Sequence, residues 1–243
     1  MHQLAVRPDR ADVSWVRSAA PLLVASGGVV LLSLAVTVAA WRLQLAAPGS
    51  PPIAALQWFD VGSERNVPTA WSAGLLLASA VTAALLAAQA RSGSGWALVA
   101  VTCAVLALDE SFELHERLGG LGAAVADDRL HFAWVVPGAA LAAVVGLVLL
   151  RRLRSQPLQV RRRLVVAGAV YLAGALVLET VSGTALRSYG AGGKVYTLVI
   201  SAEEGLEMAG ASLLLAALVL QLRHLKPGRN SSSTGRTATS ASS

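Results

Sequence analysis

The sequence predicts an all-α fold, a polytopic transmembrane bundle of six helices. Hydrophobic residues make up 55% of the 243 residues and charged residues only 14%, and the mean hydropathy of +0.60 lies above the range of soluble domains. Apolar stretches long enough to cross a hydrocarbon layer of roughly 30 Å, as helices of about 20 residues each, recur along the chain. We place the six spans near residues 19–41, 70–90, 96–117, 132–150, 164–185 and 195–222.

The distribution of basic residues predicts how the spans are oriented. If the N-terminus is cytoplasmic, most of the 20 basic residues lie on the cytoplasmic side, as the positive-inside rule requires. The densest basic run is RRLRSQPLQVRRR, between spans four and five, and we interpret it as a topology determinant that also contacts anionic headgroups. We therefore predict a multi-pass protein of the bacterial cytoplasmic membrane with both termini inside, and no nucleic-acid partner despite the net charge of +6.

The chain divides into three segments by composition. Residues 1–18 form a basic cytoplasmic segment, residues 19–225 form the six-helix domain, and residues 226–243 form a Ser/Thr-rich tail that we expect to be disordered. The first span has a longer apolar core than a typical signal peptide, so we interpret it as a retained span. The single cysteine, Cys103, excludes an intrachain disulfide and a cysteine-based metal site.

The loop before span two ends in the run WFDVGSERNVPTAW. Pro68 and Trp71 predict a helix start with an interfacial aromatic anchor. Asp60 and Glu64 either belong to the capped entry to span two, or fold over the outer mouth of the bundle and join a site below it. Span two is rich in small residues, which allow close helix packing in lipid, and the short turn after it makes spans two and three antiparallel neighbours.

Span three begins as an ordinary apolar helix and then becomes acidic within its apolar length, at LALDESFELHERL. At about 100° per residue, Asp109, Glu113 and Glu116 fall on one helix face. Glu110 flanks that face and His115 points away from it. An ionisable residue inside a membrane costs several kcal/mol unless it faces a partner or water, so this concentration of carboxyl groups indicates a site.

The last three spans bring further polar groups to the same side of the membrane. His131 opens span four and, taken alone, is more typical of an interfacial or capping residue than of a ligand. Glu179 lies near the outer end of span five. Span six carries Glu203, Glu204 and Glu207 in its outer half, and Glu203 and Glu207 share a face with Tyr196.

Depth along the helices predicts that these acids meet. At about 1.5 Å per residue, Asp109, Glu179 and Glu203 lie roughly 7–12 Å below the outer surface, and Glu207 roughly 18 Å below it. The spans contain no lysine or arginine at that depth to neutralise the intramembrane acids, which are Asp109, Glu110, Glu113, Glu179, Glu203, Glu204 and Glu207. Such a group cannot stay fully ionised at low dielectric constant, so protons, metal ions or a cationic substrate must balance the charge.

A divalent metal ion is the leading interpretation. Carboxylate oxygens with one or two imidazoles suit Zn, Mn, Fe or Ca, and carboxylates on facing helices hold paired metals in helical bundles. The Glu-x-x-His pair of soluble di-iron bundles and the HxxxH pattern of membrane hydrolases are absent, so catalysis on a lipid-like substrate stays undecided. The predicted ligands are Asp109, Glu110, Glu113, His115, Glu116, His131, Glu179, Glu203, Glu204 and Glu207, with Asp60 and Glu64 as outer-loop candidates.

Two alternatives stay open. In a proton- or cation-coupled transporter, intramembrane acids mark the ion pathway, although the inner halves of the spans offer little beyond Gln89 to continue such a path. In a purely structural role, the acids would hydrogen-bond between helices with no ligand. The oligomeric state is open as well.

At FDVGSERNVPTAW, LALDESFELHE and AEEGLEMAG, the sequence resembles a group of bacterial six-span membrane proteins of unknown function. That group has an acidic outer loop before the second span, an acidic third span that ends in HE, and a last span with paired glutamates. The resemblance covers roughly residues 59–210 and supplies no activity. It implies that a set of polar residues belongs together, namely Asp60, Glu64, Asn66, Pro68, Asp109, Glu110, His115, Glu116, Glu179, Glu203, Glu204 and Glu207.

Overall fold

The computed structural model describes residues 10–46, 58–90, 93–124 and 131–225, and these residues form helices and turns with no strand. The elements are α1 (Arg10–Ala46), α2 (Val67–Gln89), α3 (Ser94–Phe112), a 3₁₀ turn (His115–Leu118), α4 (Gly119–Ala123), α5 (Val135–Arg152), α6 (Leu158–Leu172), a π turn (Ala173–Leu178), α7 (Glu179–Tyr189) and α8 (Lys194–Leu225).

Within the described part of the chain, six helices are long and apolar enough to cross a membrane, and the predicted all-α class is confirmed. Five of them are α1, α2, α3, α5 and α8. The remaining one is a continuous helix made of α6, the π turn and α7. Most extend beyond the predicted spans, since α1 has 37 residues and the fifth span runs over Leu158–Tyr189. The predicted start of span four at His131 is wrong, because residues 131–134 form a bend and turn ahead of Val135. The tail, residues 226–243, and the acids at 127 and 128 lie outside the described residues.

Helix α8 is the centre of the bundle. It packs against α1, α2, α6, the π turn and α7, while α3 lies along the other side of α2 as its antiparallel neighbour. In the most apolar windows of α2 and α8, 44% of the residues are buried inside the protein, against 6% in α5. Helix α5 is therefore peripheral, whereas α8 is the central helix against which most of the others pack.

Two glycines let α6 and the π turn approach α8 closely. A methyl group on Gly210 would lie 2.5–2.6 Å from the backbone and Cβ of Tyr171, and one on Gly174 would lie 2.7 Å from Glu207 Cγ and 2.8 Å from the carbonyl oxygen of Glu203. Real Cβ atoms do not approach other atoms so closely, so both positions require glycine. This contact brings the π turn directly against the acidic part of α8.

Helix α3 ends earlier than the sequence predicts, and this overturns the predicted acidic face. The α-helix stops at Phe112, and Glu113 adopts the left-handed conformation at φ 51° and ψ 45°. The Asp109 carbonyl accepts the Glu113 N–H at 2.7 Å, and its carboxylate accepts the His115 N–H at 2.6 Å. The carbonyl bond is an ordinary helical one, whereas the carboxylate binds the N–H of a residue beyond the helix. With Glu113 in the left-handed conformation, Asp109, Glu113 and Glu116 do not share a regular helix face.

Candidate functional site

Carboxyl groups from α3, α7 and α8 meet at one end of the bundle, here called the acidic end. The opposite end, where residues 153–157 join α5 to α6, is called the basic end. Glu204 on α8 interacts electrostatically with Glu110 on α3 and Glu179 on α7. Glu207 interacts with the same two residues and with Glu203. We call this group the acidic cluster, and it consists of Asp109, Glu110, Glu179, Glu203, Glu204 and Glu207.

Glu203 and Glu207 are the most deeply buried members of the cluster, with exposed fractions of 4% and 9%. The Glu203 carboxyl group lies within interaction distance of the Glu179 side chain and of Ser182. Its Oε2 atom, however, is buried and has no hydrogen-bond partner. A buried carboxylate oxygen without a donor is uncommon in folded proteins, so this atom needs a proton, a cation or a donor group from outside the described protein.

The π turn places Glu179 beside Glu203. It spans Ala173–Leu178, immediately before Glu179, and Gly174 within it packs on the α8 backbone at Glu203. Isolated π turns inside α-helices are frequent at functional sites, because the wider turn changes the direction of the following side chains. Apart from Gly168, which precedes the turn, and Gly174, which lies in it, the sequence of the fifth span carries no signal that predicts it.

Trp134 connects the two halves of the acidic end. Its Nε1 atom donates a hydrogen bond to Glu179 Oε1 at 3.2 Å. Its ring also packs on the His115 ring, with 4.4 Å between the ring centroids and 43° between the planes. The indole therefore fixes the position of the α7 carboxyl group relative to the segment that follows α3.

Asp109 and His115 form a close pair, contrary to the expectation that His115 points away. His115 Nδ1 lies 3.2 Å from Asp109 Oδ2, and about a quarter of each side chain is exposed. Burial lowers the pKa of His115, but the hydrogen bond and charge of Asp109, with the charges of Glu179 and Glu116, outweigh this effect and raise the pKa overall. Water at the acidic end can therefore reach a histidine that contacts the cluster.

Three predicted ligands lie at the periphery. Glu116 is exposed, and Glu113 is held by the left-handed turn after α3. His131 is exposed, and its ring packs edge-on against Phe132, with centroids 4.8 Å apart. This exposed placement fits the interfacial role that a lone histidine predicts.

The loop over residues 58–66 covers the acidic end, and its two acids have different surroundings. The Asp60 carboxylate bonds within its own loop, where it accepts hydrogen bonds from the Gly62 N–H at 3.1 Å and the Ser63 hydroxyl at 2.9 Å. The Val61 N–H donates to Ser33 Oγ on α1 at 3.0 Å. Asn66 caps α2 through the Thr69 N–H, so the helix start expected from Pro68 is confirmed.

Glu64 faces the carboxyl groups of the acidic end. Burial by the surrounding loop, added to the negative charges of Glu110, Glu113 and Glu116, raises the pKa of Glu64 to about 7, and the nearby His115 offsets this only in part. By surface area the Glu64 residue is exposed despite the partial burial of its carboxyl group, so the group can exchange protons with water. Glu64 therefore titrates near neutral pH at the mouth of the cluster.

We expect the packing of the 58–66 loop to depend on pH through Glu64. The ordinary value is 4.5, so the favourable contribution of protonated Glu64 is complete below pH 4.5 and is lost as the pH rises through about 7. Hydrogen exchange in residues 58–66, corrected for intrinsic rates, should be faster at pH 8 than at pH 5. Glu64→Gln should remove this difference, whereas Glu116→Gln should keep most of it. Equal protection at both pH values in the wild type would contradict the prediction.

The profile of one protein family matches residues 28–222, which is most of the chain. The family is described as a domain of unknown function, DUF8692. The chain belongs to this family. The DUF8692 match begins within α1 and ends within α8, so it contains the whole acidic cluster and the 58–66 loop. No curated protein and no solved structure matches the chain. Membership of a family of unknown function is thus confirmed, and a bacterial source stays a prediction.

Several residues around the cluster of this DUF8692 chain were not predicted as site residues. Tyr196 interacts with Glu203 and Glu179, and its position on the Glu203 face was the signal available in the sequence. Buried Tyr171 interacts with Glu207 and Glu110. Ser72 Oγ is fully buried, makes no geometric hydrogen bond and interacts with Glu110. Nothing in the sequence distinguishes these residues, Trp134 or Ser182 from other residues of the spans and their ends. Their contacts with the cluster arise from the packing of the helices.

The predicted metal site lacks support from the geometry. Among residues 10–46, 58–90, 93–124 and 131–225, no group of three or more His, Cys, Asp or Glu side chains is arranged to hold a metal ion. Each of Glu204 and Glu207 nevertheless interacts electrostatically with several carboxyl groups of other helices.

Proposed function

We propose that the acidic cluster binds a cation in exchange for a proton, and that the protein is a proton- or cation-coupled membrane transporter whose site opens at the acidic end. One observation carries this proposal, namely the buried and unpartnered Oε2 atom of Glu203 beside Glu179. Two carboxyl groups can hydrogen-bond only if one of them holds a proton. A cation that replaces this proton would supply the missing partner of the Glu203 oxygen.

The surroundings of the cluster support a cation as its ligand. Asp109 of the cluster pairs with His115. Aromatic rings of Trp134 and Tyr196 lie beside the carboxyl groups, and aromatic faces favour cations. The partly exposed Asp109 and His115 side chains give access from the acidic end.

The other end of the bundle is closed in this conformation. A core of apolar side chains, including Leu86, Trp96 and Leu218, packs between the cluster and the basic end. Binding and release therefore take place at the acidic end, which is the outer side if the predicted topology holds. Transport requires a second conformation in which this apolar core opens. Flux of cations or protons in liposomes would demonstrate that conformation.

A divalent metal ion, Zn, Mn, Fe or Ca, is the second candidate ligand, with catalysis on a lipid-like substrate as its possible use. The number of carboxyl groups within interaction distance favours it. Bound metal would require side chains of α3, α7 and α8 to converge further than they do among the described residues. A third candidate is a structural role without a ligand.

Purified protein distinguishes these candidates. In weak buffer, adding Na⁺, K⁺ or tetramethylammonium should release protons and raise the thermal stability of the wild type. Glu203→Gln should weaken this response roughly 10- to 100-fold, as expected for one lost charge-assisted contact, and the exposed control Glu116→Gln should keep it. Cation or proton flux in liposomes should be lost in the same variant.

Other outcomes overturn the proposal. Stoichiometric metal in elemental analysis, lost in both Glu203→Gln and Asp109→Asn, would replace it with the metal site. A metal-free protein with neither proton release nor flux, merely destabilised by the two changes, would establish the structural role.

A further inference from the structure

A second pair of carboxyl groups lies one helix turn deeper than Glu203 in the acidic cluster. Glu207 follows Glu203 by four residues on α8, so the two lie on one face of that helix. Glu207 is buried, and Gly174 of the π turn packs against its side chain. It interacts electrostatically with Glu110 of α3. Glu110 and Glu207 are here called the inner pair, and Glu179 and Glu203 the outer pair.

An apolar layer lies beneath the inner pair, on the side away from the acidic end. Its members are buried and contact one another, namely Leu75, Leu76, Ala107, Tyr171 and Ala211. Those on α2, α3 and α8 lie three or four residues further from the acidic end than Ser72, Glu110 and Glu207, and residues with this spacing share a helix face. These three polar side chains therefore lie on the faces of α2, α3 and α8 that meet above the apolar layer.

The hydroxyl group of Ser72 indicates a ligand at the inner pair. Ser72 is completely buried, and its Oγ atom has no hydrogen-bond partner among the described residues, although it lies within interaction distance of Glu110. Ser79 is equally buried two turns further along α2, yet its Oγ atom donates to the Leu75 carbonyl at 2.9 Å. Serine in a helix commonly forms such a bond to the preceding turn. Because the Ser72 hydroxyl forms none, it is available to a ligand of the inner pair.

The polar groups at the inner pair offer oxygen atoms as ligands, and this favours a small hard cation. They are the Ser72 hydroxyl, the two carboxyl groups and the phenol of Tyr171, which interacts with both carboxyl groups. A divalent ion would need about six or more oxygen ligands, or several retained waters, and the apolar layer offers those waters no hydrogen bonds. A monovalent ion requires only one of the two carboxyl groups to be ionised, which keeps the uncompensated charge at this depth small.

We propose that Ser72, Tyr171 and the inner pair form a second cation site, here called the inner site, which is specific for a small alkali ion such as Na⁺. This inference rests on the proposed function and deepens it, because it names the transported ion and gives it a position beyond the outer pair. An ion that displaces the proton at Glu203 would reach the inner site by moving about 6 Å, one turn along α8. A positive charge there favours the ionised form of the outer pair, so Na⁺ at the inner site would oppose the return of the proton.

Thermal unfolding of the purified protein in detergent tests the inner site, with the chlorides of Na⁺, K⁺, Ca²⁺ and tetramethylammonium titrated separately. Na⁺ should stabilise the wild type at a lower concentration than the other ions. Ser72→Ala should weaken the apparent affinity for Na⁺ about tenfold, as expected for one lost contact to a charged ligand. The matched control Ser79→Ala removes a hydroxyl group that already has a partner, so the affinity should change less than about twofold. Without added ions, Ser72→Ala should unfold no earlier than the wild type, which separates a loss of binding from a loss of folding.

Several results would overturn the inner site. Equal Na⁺ affinities of the wild type and Ser72→Ala, with the response lost only in Glu203→Gln, would confine the cation to the outer pair and leave the proposed exchange intact. Equal losses in Ser72→Ala and Ser79→Ala would mean an effect on the packing of α2. Tighter binding of tetramethylammonium would indicate an organic cation, and tighter binding of Ca²⁺ would indicate a divalent site. A wild type that responds to none of these ions would overturn the proposed function together with the inner site.

Discussion

Replacing Gly210 by alanine should destabilise the protein by about 3 kcal/mol, the upper part of the usual range for overpacking a close helix contact. The added methyl group would lie 2.5 Å from the Tyr171 backbone nitrogen and 2.6 Å from its Cα atom. These are backbone atoms of a neighbouring helix, so no side-chain rotation can relieve the overlap. Relief requires α6 to move away from α8, which would also uncover fully buried neighbours such as Met208 and Ala211.

Gly168→Ala on α6 is the matched control, because its new methyl group would have no atom within 4 Å. Alanine favours a helix over glycine by about 1 kcal/mol, so Gly168→Ala should raise stability slightly while Gly210→Ala lowers it. The measurement is denaturant unfolding in one detergent, followed by tryptophan fluorescence. Similar stabilities for Gly210→Ala and Gly168→Ala would show that α6 and α8 are not packed as closely as described.

The sequence predicted the membrane class and the spans because their causes are local. Hydrophobic length decides whether a helix crosses the bilayer, and each span carries that signal within itself. The meeting of Glu179, Glu203 and Glu204 was also predictable, since the helical rise places them at similar depths. Neither inference needed the packing partners of the helices.

The errors arose where a side chain competes with the regular helix. The predicted face of Asp109, Glu113 and Glu116 assumed a helix to about residue 117, but the helix stops at Phe112 and the Asp109 carboxylate accepts the His115 N–H beyond its end. Such local competition is typical of aspartate near helix ends. The roles of Trp134 and the π turn could not be predicted, because they depend on a hydrogen bond between residues 45 positions apart and on the close approach of Gly174 to α8.

Replacing Glu203 by methionine should separate a ligand-binding role from a structural one. We expect Glu203→Met to stabilise the cation-free protein by about 1–3 kcal/mol, since buried charged groups are often less favourable than apolar groups of similar volume. The Glu203 side chain is 4% exposed and one of its oxygens has no partner, so methionine removes an unsatisfied atom and fills the space. The same variant should lose the stabilisation by cations that the wild type is expected to show.

The partners of Glu203 do not depend on it, and this makes the expected gain specific. The Ser182 hydroxyl donates to the Glu179 carbonyl at 3.0 Å, and Glu179 Oε1 keeps its bond from Trp134. Removing the Glu203 carboxyl group therefore leaves few donors unpaired. Thermal unfolding in detergent, with and without added cation, measures both effects, and the exposed Glu116→Met serves as the control that should change neither. A marked loss of stability in Glu203→Met would mean that the Glu203 carboxyl group holds α7 to α8. In the absence of a cation, a structural hydrogen bond is the only favourable interaction that this substitution could remove.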